Sequence, residues 1–202
     1  SVRYARFFLG RREQAIREGR LGAKDKLAIG IYQENSPEFL FAAFGTALSN
    51  SVLFAVNTGF KGKTLANVIN QAGISMLIVS PGTAPEVRQS MPDIQAVSAQ
   101  GILIAGDEKA AKEHGFVCLE SALSESENTP SAACKSAMDN TSPVLVIYTS
   151  GTTGRSKGVM LTHLNILSNA KQSGTVHVVT PEDSFLSMLP LAHSYESTIG
   201  MV

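Results

Sequence analysis

Ten consecutive positions, Thr149 to Gly158, hold three Thr, two Ser, three Gly, Arg155 and Lys157. That mixture suits a polyphosphate. Glycines let the main chain turn with positive φ and come close to an anion. Successive backbone N–H groups form an anion-binding concavity. Hydroxyls add donors without bulk, and an ammonium adds a point charge on a flexible stem.

The segment is not a Walker loop. That loop needs Gly-x-x-x-x-Gly-Lys followed by Ser or Thr. Counting from Gly151, Ser156 stands where the second glycine belongs. Gly158 stands where the metal-binding hydroxyl belongs. A Ser/Gly-rich surface linker would have a similar composition, but flexible linkers rarely lie between apolar elements. Here Val144 to Ile147 reads as a buried strand. On the other side, Thr162 can cap a helix through Leu164, Ile166 and Leu167.

The elements that must position this loop can be read from the start of the chain. Tyr4, Phe7, Phe8, Ala15 and Ile16 predict an amphipathic helix over 2–20. Its Arg11, Arg12, Arg17 and Arg20 form a basic face, which suits solvent and leaves a membrane or acidic-partner contact open. Gly22 to Asp25 is a turn. Leu27–Tyr32 is a strand. Ser36 caps a helix with Pro37 at its first position, and that helix runs to about Leu48. Asn50 can end it in a left-handed conformation. Val52–Val56 is a second strand, which completes a parallel βαβ unit.

The cycle repeats. Lys63–Ala72 is a helix ended by Gly73, Ser75–Val79 a strand, and Pro85–Ser90 a short helix. Ile102–Ile104 and Phe116–Leu119 are further strands. Ser121 to Ser142 reads as an exposed connection, with Asp139 placed to tie it down. After the loop, the helix from Thr162 runs to about Ser173. Thr180 to Asp183 is a turn, and Phe185–Leu189 a strand. The alternation predicts an α/β fold, layered, with a mostly parallel sheet and helices on both faces.

Composition excludes some classes. The 202 residues suffice for one sizeable core, and 44% apolar with 17% charged residues is ordinary for a globular protein. Seventeen charges of each sign give no net charge, which argues against a nucleic-acid binder. Cys118 and Cys134 lack metal-site spacing and read as free thiols of a reducing compartment. No signal peptide is visible. The apolar stretch from Phe39 to Val56 is interrupted by Gly45, Thr46, Ser49, Asn50 and Ser51, and reads as helix plus strand, not a membrane span.

The run from Tyr148 to Val159 resembles the signature loop of the adenylate-forming enzymes: acyl-CoA synthetases, luciferases and peptide-synthetase adenylation domains. Ser156 stands where proline is usual. Weaker resemblance covers Gly22–Ile29, Asn35–Phe44 and Asn57–Val79, with Thr58-Gly59 where proline often follows the asparagine. Pro190-Leu191-Ala192-His193-Ser194-Tyr195-Glu196 is similar to the next motif, in the form found in long-chain fatty acid–CoA ligases.

The resemblance implies a two-step reaction. A carboxylate attacks the α-phosphate of ATP, giving acyl-AMP and pyrophosphate; coenzyme A then displaces AMP. It implies that backbone N–H groups of Ser150, Gly151, Thr152, Thr153 and Gly154 hold the β- and γ-phosphates. Hydroxyls of Thr149, Ser150, Thr152 and Thr153 assist, and Lys157 neutralises the leaving pyrophosphate. Arg155 assists or faces solvent. His193 helps orient the acyl carboxylate at the α-phosphate, and Glu196 is a weaker substrate contact. Tyr148 reads as packing.

Further expectations follow from the same resemblance. The chain is read as part of an N-terminal AMP-binding domain: α/β repeats to residue 120, the connection over 121–142, and the signature loop with its following motif over 143–202. Adenine, ribose and magnesium contacts would lie downstream, so the chain alone is expected not to complete adenylation. Uncovered edges would favour self-association. The expected setting is cytoplasmic, with peripheral membrane contact open. A carrier-protein thiol in place of coenzyme A, a non-catalytic interaction module, and an unrelated phosphate-binding domain remain as alternatives.

Overall fold

A computed structural model of the chain describes residues 1–126, 139–149, 156–176, 180, 182–184 and 186–199. Seven strands make one sheet: β1 (Ala28–Tyr32), β2 (Val52–Ala55), β3 (Met76–Val79), β4 (Ile102–Ile104), β5 (Val117–Cys118), β6 (Pro143–Thr149) and β7 (Lys157–Thr162). Their order across the sheet is β5-β4-β3-β1-β2-β6-β7. All neighbours pair in parallel except β6 and β7, which are antiparallel.

Eight α-helices accompany these strands among the described residues. They are α1 (Val2–Arg17), α2 (Pro37–Leu48), α3 (Gly62–Ala72), α4 (Ala84–Ser90), α5 (Glu108–His114), α6 (Leu119–Glu125), α7 (His163–Val176) and α8 (Ser194–Ile199). From β1 the chain moves one way to β2, then returns past β1 to β3. Crossovers of one hand that run in opposite directions must lie on opposite faces. Accordingly Phe39 and Ala42 of α2 pack in one core with Tyr4, Phe7 and Phe8 of α1. Leu65, Val68 and Ile69 of α3 pack in the other with Ala84 and Val87 of α4.

The strands serve both cores by alternation. Ile29 and Ile31 of β1, Met76 and Ile78 of β3 and Leu103 of β4 face the first. Leu77, Val79, Ile102 and Ile104 face the second. This two-sided burial is why these strands read as unbroken apolar runs.

Several local signals do what their residue types require. The Ser36 hydroxyl accepts from the Phe39 N–H at 3.3 Å, with Pro37 first in α2. Asn50 has φ 52° just after that helix, and Gly73 closes α3 at φ 60°. Lys26 joins the foot of β1 to the foot of β6: its ammonium donates to Ser142 Oγ at 2.7 Å and to the Pro143 carbonyl at 2.9 Å. The Asp139 carboxylate accepts from the Thr141 N–H and hydroxyl, which shapes that entry.

The structure departs from the sequence reading in four places. A strand, β7, stands between the loop and α7. Its β-branched and apolar residues lack the alternation of a half-buried strand, because Val159 and Met160 both face out, 46% and 67% exposed. Leu119–Glu125, read partly as loop, is the helix α6, with Leu119, Ala122 and Leu123 buried; residues 127–138 of that connection lie outside the described set. The helix α5 is a further element, capped by Asp107 and ended by Gly115 at φ 67°. Residues 186–189 lie in no strand, because no described strand pairs with them and Leu186 and Met188 are each 75% exposed.

On α1, Arg12 is not purely a surface charge. Its guanidinium donates to the carbonyls of Ala23 and Asp25 and so holds the turn before β1. Arg20 pairs with Glu18, and Arg11 lies 5.2 Å from the Phe7 ring centroid. Cys118 is a free thiol that donates to Glu120; Cys134 lies outside the described residues. No helix among the described residues is long and apolar enough to cross a membrane.

Helix α1 crosses α2 at Gly45. A Cβ built there would lie 2.5 Å from Tyr4 Cβ, 3.1 Å from the Ala5 nitrogen and 3.2 Å from the Ser1 carbonyl oxygen. Two of those neighbours are backbone, so the helix itself would have to move. Gly45→Ala is therefore expected to destabilise the fold by about 1–3 kcal/mol, despite alanine's better helix propensity. Urea denaturation measures this; equal or greater stability would refute the close crossing.

Candidate functional site

The two central strand pairings decide where the Ser/Thr/Gly loop emerges. Leu53, Phe54 and Ala55 of β2 pair in parallel with Leu145, Val146 and Ile147 of β6. The β6 carboxyl end therefore lies at the same sheet edge as those of β1, β2 and β3. In open parallel sheets, ligands bind outside this edge. β7 then runs back beside β6, with Thr149 opposite Lys157, Tyr148 opposite Gly158 and Ile147 opposite Val159. The loop is thus the turn of a β-hairpin, with its two ends held together by the ladder.

Thr149 and Lys157 form the root of that hairpin. The Thr149 hydroxyl reaches the Lys157 carbonyl at 3.5 Å, and both residues are exposed. Ser150, Gly151, Thr152, Thr153, Gly154 and Arg155 lie outside the described residues. Tyr148 is buried and belongs to the second core; burial raises its phenol above its ordinary pKa. A Cβ at Gly158 would meet Val146 Cγ1 at 3.0 Å and the Tyr148 ring at 3.5 Å. Glycine lets the aromatic ring lie across the neighbouring strand, as in the aromatic covering of strand glycines.

The step from β7 to α7 is a reciprocal cap. Thr162 Oγ1 accepts from the Asn165 N–H at 3.1 Å, while Asn165 Oδ1 accepts from the Thr162 N–H at 2.9 Å. This is the capping-box arrangement with asparagine in the third position.

The His193 segment reaches the same sheet edge by another route. Leu189 and Leu191 are hydrogen-bonded to Asn35, in the loop after β1. β1 and β6 are separated by β2 alone, so their ends are roughly 10 Å apart. His193 is exposed, and its N–H donates to the Pro190 carbonyl at 2.8 Å. Its Nδ1 accepts from the Tyr195 N–H at 3.3 Å, which leaves Nε2 as the proton-bearing nitrogen of the neutral ring. Glu196, three residues on, is 1% exposed, with Oε1 buried and unpartnered.

Thus Thr149 and Lys157 lie at the edge to which the segment leading to His193 is tied, while Glu196 is buried. Sequence reading missed Asn35, which binds the His193 segment. Its position before Ser36-Pro37 looks like turn chemistry, and nothing local signals a partner 152 to 156 positions away. No three His, Cys, Asp or Glu side chains converge as a metal site among the described residues.

Beneath α7 lies an apolar cavity of about 540 Å³, lined by Ala43, Phe44, Leu53, Leu145, His163 and Ile166, among others. His163 is its titratable wall.

Comparison with known proteins came from three directions. The family model described as AMP-binding enzyme matches residues 14–202. The protein named probable CoA ligase CCL8, from Humulus lupulus, is 31% identical over 166 residues, covering 82% of this chain and 26% of that protein. The crotonobetaine/carnitine–CoA ligase of Proteus mirabilis is 27% identical over 172 residues, covering 85% and 33%. Among solved structures, ATP-bound MatB from Rhodopseudomonas palustris superposes with a TM-score of 0.69 at 22% identity, covering 99% of this chain and 36% of that one. The chain spans about a quarter to a third of the length of these curated relatives.

Burial chiefly, and then the Lys26 charge, push the His163 imidazole below its ordinary pKa; Asp139 opposes them. The folded state therefore favours neutral His163. The stability linked to it is complete above the unfolded value of about 6.5 and is lost as pH falls through the lower folded value. His163→Asn should flatten the rise of melting temperature with pH on the acid side of about 6.5. Parallel profiles for the two proteins would refute the burial argument.

Proposed function

Because the chain belongs to the AMP-binding enzyme family, we propose that it supplies the triphosphate loop and part of the acyl site of an acid–thiol ligase, an acyl-CoA synthetase. The substrate is a carboxylic acid, and we assign it to the fatty acids on the form of Pro190–Glu196. Activation by ATP gives acyl-AMP and pyrophosphate, and coenzyme A then takes the acyl group. The observation that carries this reading is the hairpin root, Thr149 opposite Lys157, at the carboxyl edge of a parallel sheet.

The ladder fixes Thr149 beside Lys157, so the two ends of the signature segment are held together before any nucleotide binds. Preorganised donors are the main source of electrostatic stabilisation in displacement at phosphorus. We assign the N–H groups of Ser150 to Gly154 to the β- and γ-phosphates. Lys157, exposed beside Thr149, carries the counter-charge to departing pyrophosphate, and Arg155 extends the cationic side of the loop. His193, with Nε2–H free to donate, orients the carboxylate at the α-phosphate. Glu196, buried with an unpartnered oxygen, is assigned to the acyl site as the weaker contact. Magnesium, when bound with the nucleotide, adds positive charge at the phosphates; we assign its ligands to positions outside this sequence. We place the enzyme in the cytoplasm, with the arginine face of α1 as the surface that would meet a membrane.

The carnitine specificity of the Proteus relative belongs to that protein, and the acid used here is decided by assay. In the natural protein carrying this sequence, carboxylate-dependent ATP–pyrophosphate exchange should appear with fatty acids. It should fall by about a hundredfold or more in Lys157→Ala. Exchange that survives this substitution unchanged would remove Lys157 from the phosphate site. Adenylate passed to a carrier-protein thiol and never to coenzyme A would change the acceptor, and no adenylate with any acid would favour the non-catalytic alternative.

Exposed Val159, Met160, Leu167, Leu186 and Met188 support self-association of the 202-residue polypeptide. Sedimentation velocity should show species above the monomer that dissociate on dilution. A single monomeric boundary at all concentrations would refute this.

A further inference from the structure

Asn35 lies three residues beyond β1, next to the Ser36 cap of α2. Its side-chain amide is engaged on both sides by a segment 152 to 156 positions later. Nδ2 donates to the Leu189 carbonyl at 2.7 Å and to Ser187 Oγ at 3.1 Å. Oδ1 accepts from the Leu191 N–H at 2.7 Å.

The carbonyl of one residue and the N–H two residues on are the pair that a single residue of a neighbouring parallel strand engages. Asn35 takes that pair across Pro190 with its side chain. It therefore extends the ladder of β1 past the end of the strand, onto a stretch of chain that lies in no strand itself. Proline at the centre fixes its own φ and has no N–H to compete. Hydrogen bonds continue from there: the His193 N–H donates to the Pro190 carbonyl, and the Ser197 N–H donates to the His193 carbonyl at 3.0 Å. The path from Asn35 to His193 contains one backbone turn.

We propose that Asn35 is the positioning residue for His193. It ties the His193 segment to the carboxyl end of β1 and so sets the distance between the imidazole and the hairpin root at Thr149 and Lys157. Its catalytic consequence rests on the function proposed above; the tie itself does not. A reactive group misplaced by about 1 Å costs on the order of a hundredfold in rate. Losing both sides of the amide removes the side-chain bonds that hold the segment to β1.

The test uses the natural protein carrying this sequence, with Asn35→Ala, His193→Ala and the double variant. Amide hydrogen exchange reads the tie: the Leu191 N–H is protected in the wild type and exchanges about tenfold faster in Asn35→Ala. Unchanged Leu191 exchange overturns the proposal. Acyl-adenylate formation reads the consequence. Asn35→Ala lowers kcat by about ten- to a hundredfold while KM for ATP holds, and the double variant loses no more than His193→Ala alone. Additive losses, or a fall in melting temperature that accounts for the lost activity, overturn the positioning role. A wild-type protein that forms no acyl-adenylate, while Leu191 still loses protection in Asn35→Ala, overturns the catalytic reading and the role with it.

Discussion

The parallel registration of β6 on β2 governs the rest of the structure. It points β6 toward the edge where β1, β2 and β3 also end. The hairpin root at Thr149 and Lys157, the loop after β1 and the segment leading to His193 are then brought to one edge. An antiparallel β6 would send the glycine-rich turn to the opposite edge, away from Asn35. Lys26 reinforces the pairing from below by bonding Ser142 and Pro143, so β1 and β6 are held at the foot as well as through β2.

The two cores give this edge its rigidity. Alternating residues of β1, β3 and β4 bury against α1 and α2 on one side and α3 and α4 on the other. Because both faces are covered, a slip of one residue would exchange the two cores and unpack both. The site loops can therefore be irregular without loosening the strands that carry them. Gly45 shows how near the two helices of one face approach, with α1 backbone almost in contact with α2.

Much of this was legible in the residues. Ser36-Pro37, Asn50 and Gly73 announced the helix ends, because each acts through its own backbone conformation or a hydrogen bond three residues long. The apolar runs of β1 to β4 announced a sheet covered on both faces. The composition of residues 149–158 is the basis of the phosphate site proposed above. Strand β7 was not legible, since its outward residues include Val159 and Met160 and so give no clean alternation. Helices α5 and α6 are seven residues each, too short for a periodic pattern to outweigh their polar content. Asn35 was hidden for a different reason: its partners are distant in sequence, and pairing of that kind leaves no local trace.

The pairing of β2 with β6 also bears on how the polypeptide is made. β2 finds β1 as soon as both have left the ribosome, but its other side waits for residues 143–149. At ordinary rates of synthesis that flank stays unpaired for on the order of ten seconds. During that time Val52–Ala55 is an apolar edge open to any passing strand, including that of another nascent copy. The wait ends when β6 pairs with β2, so the last part of the sheet to form is also the part that carries Thr149 and Lys157.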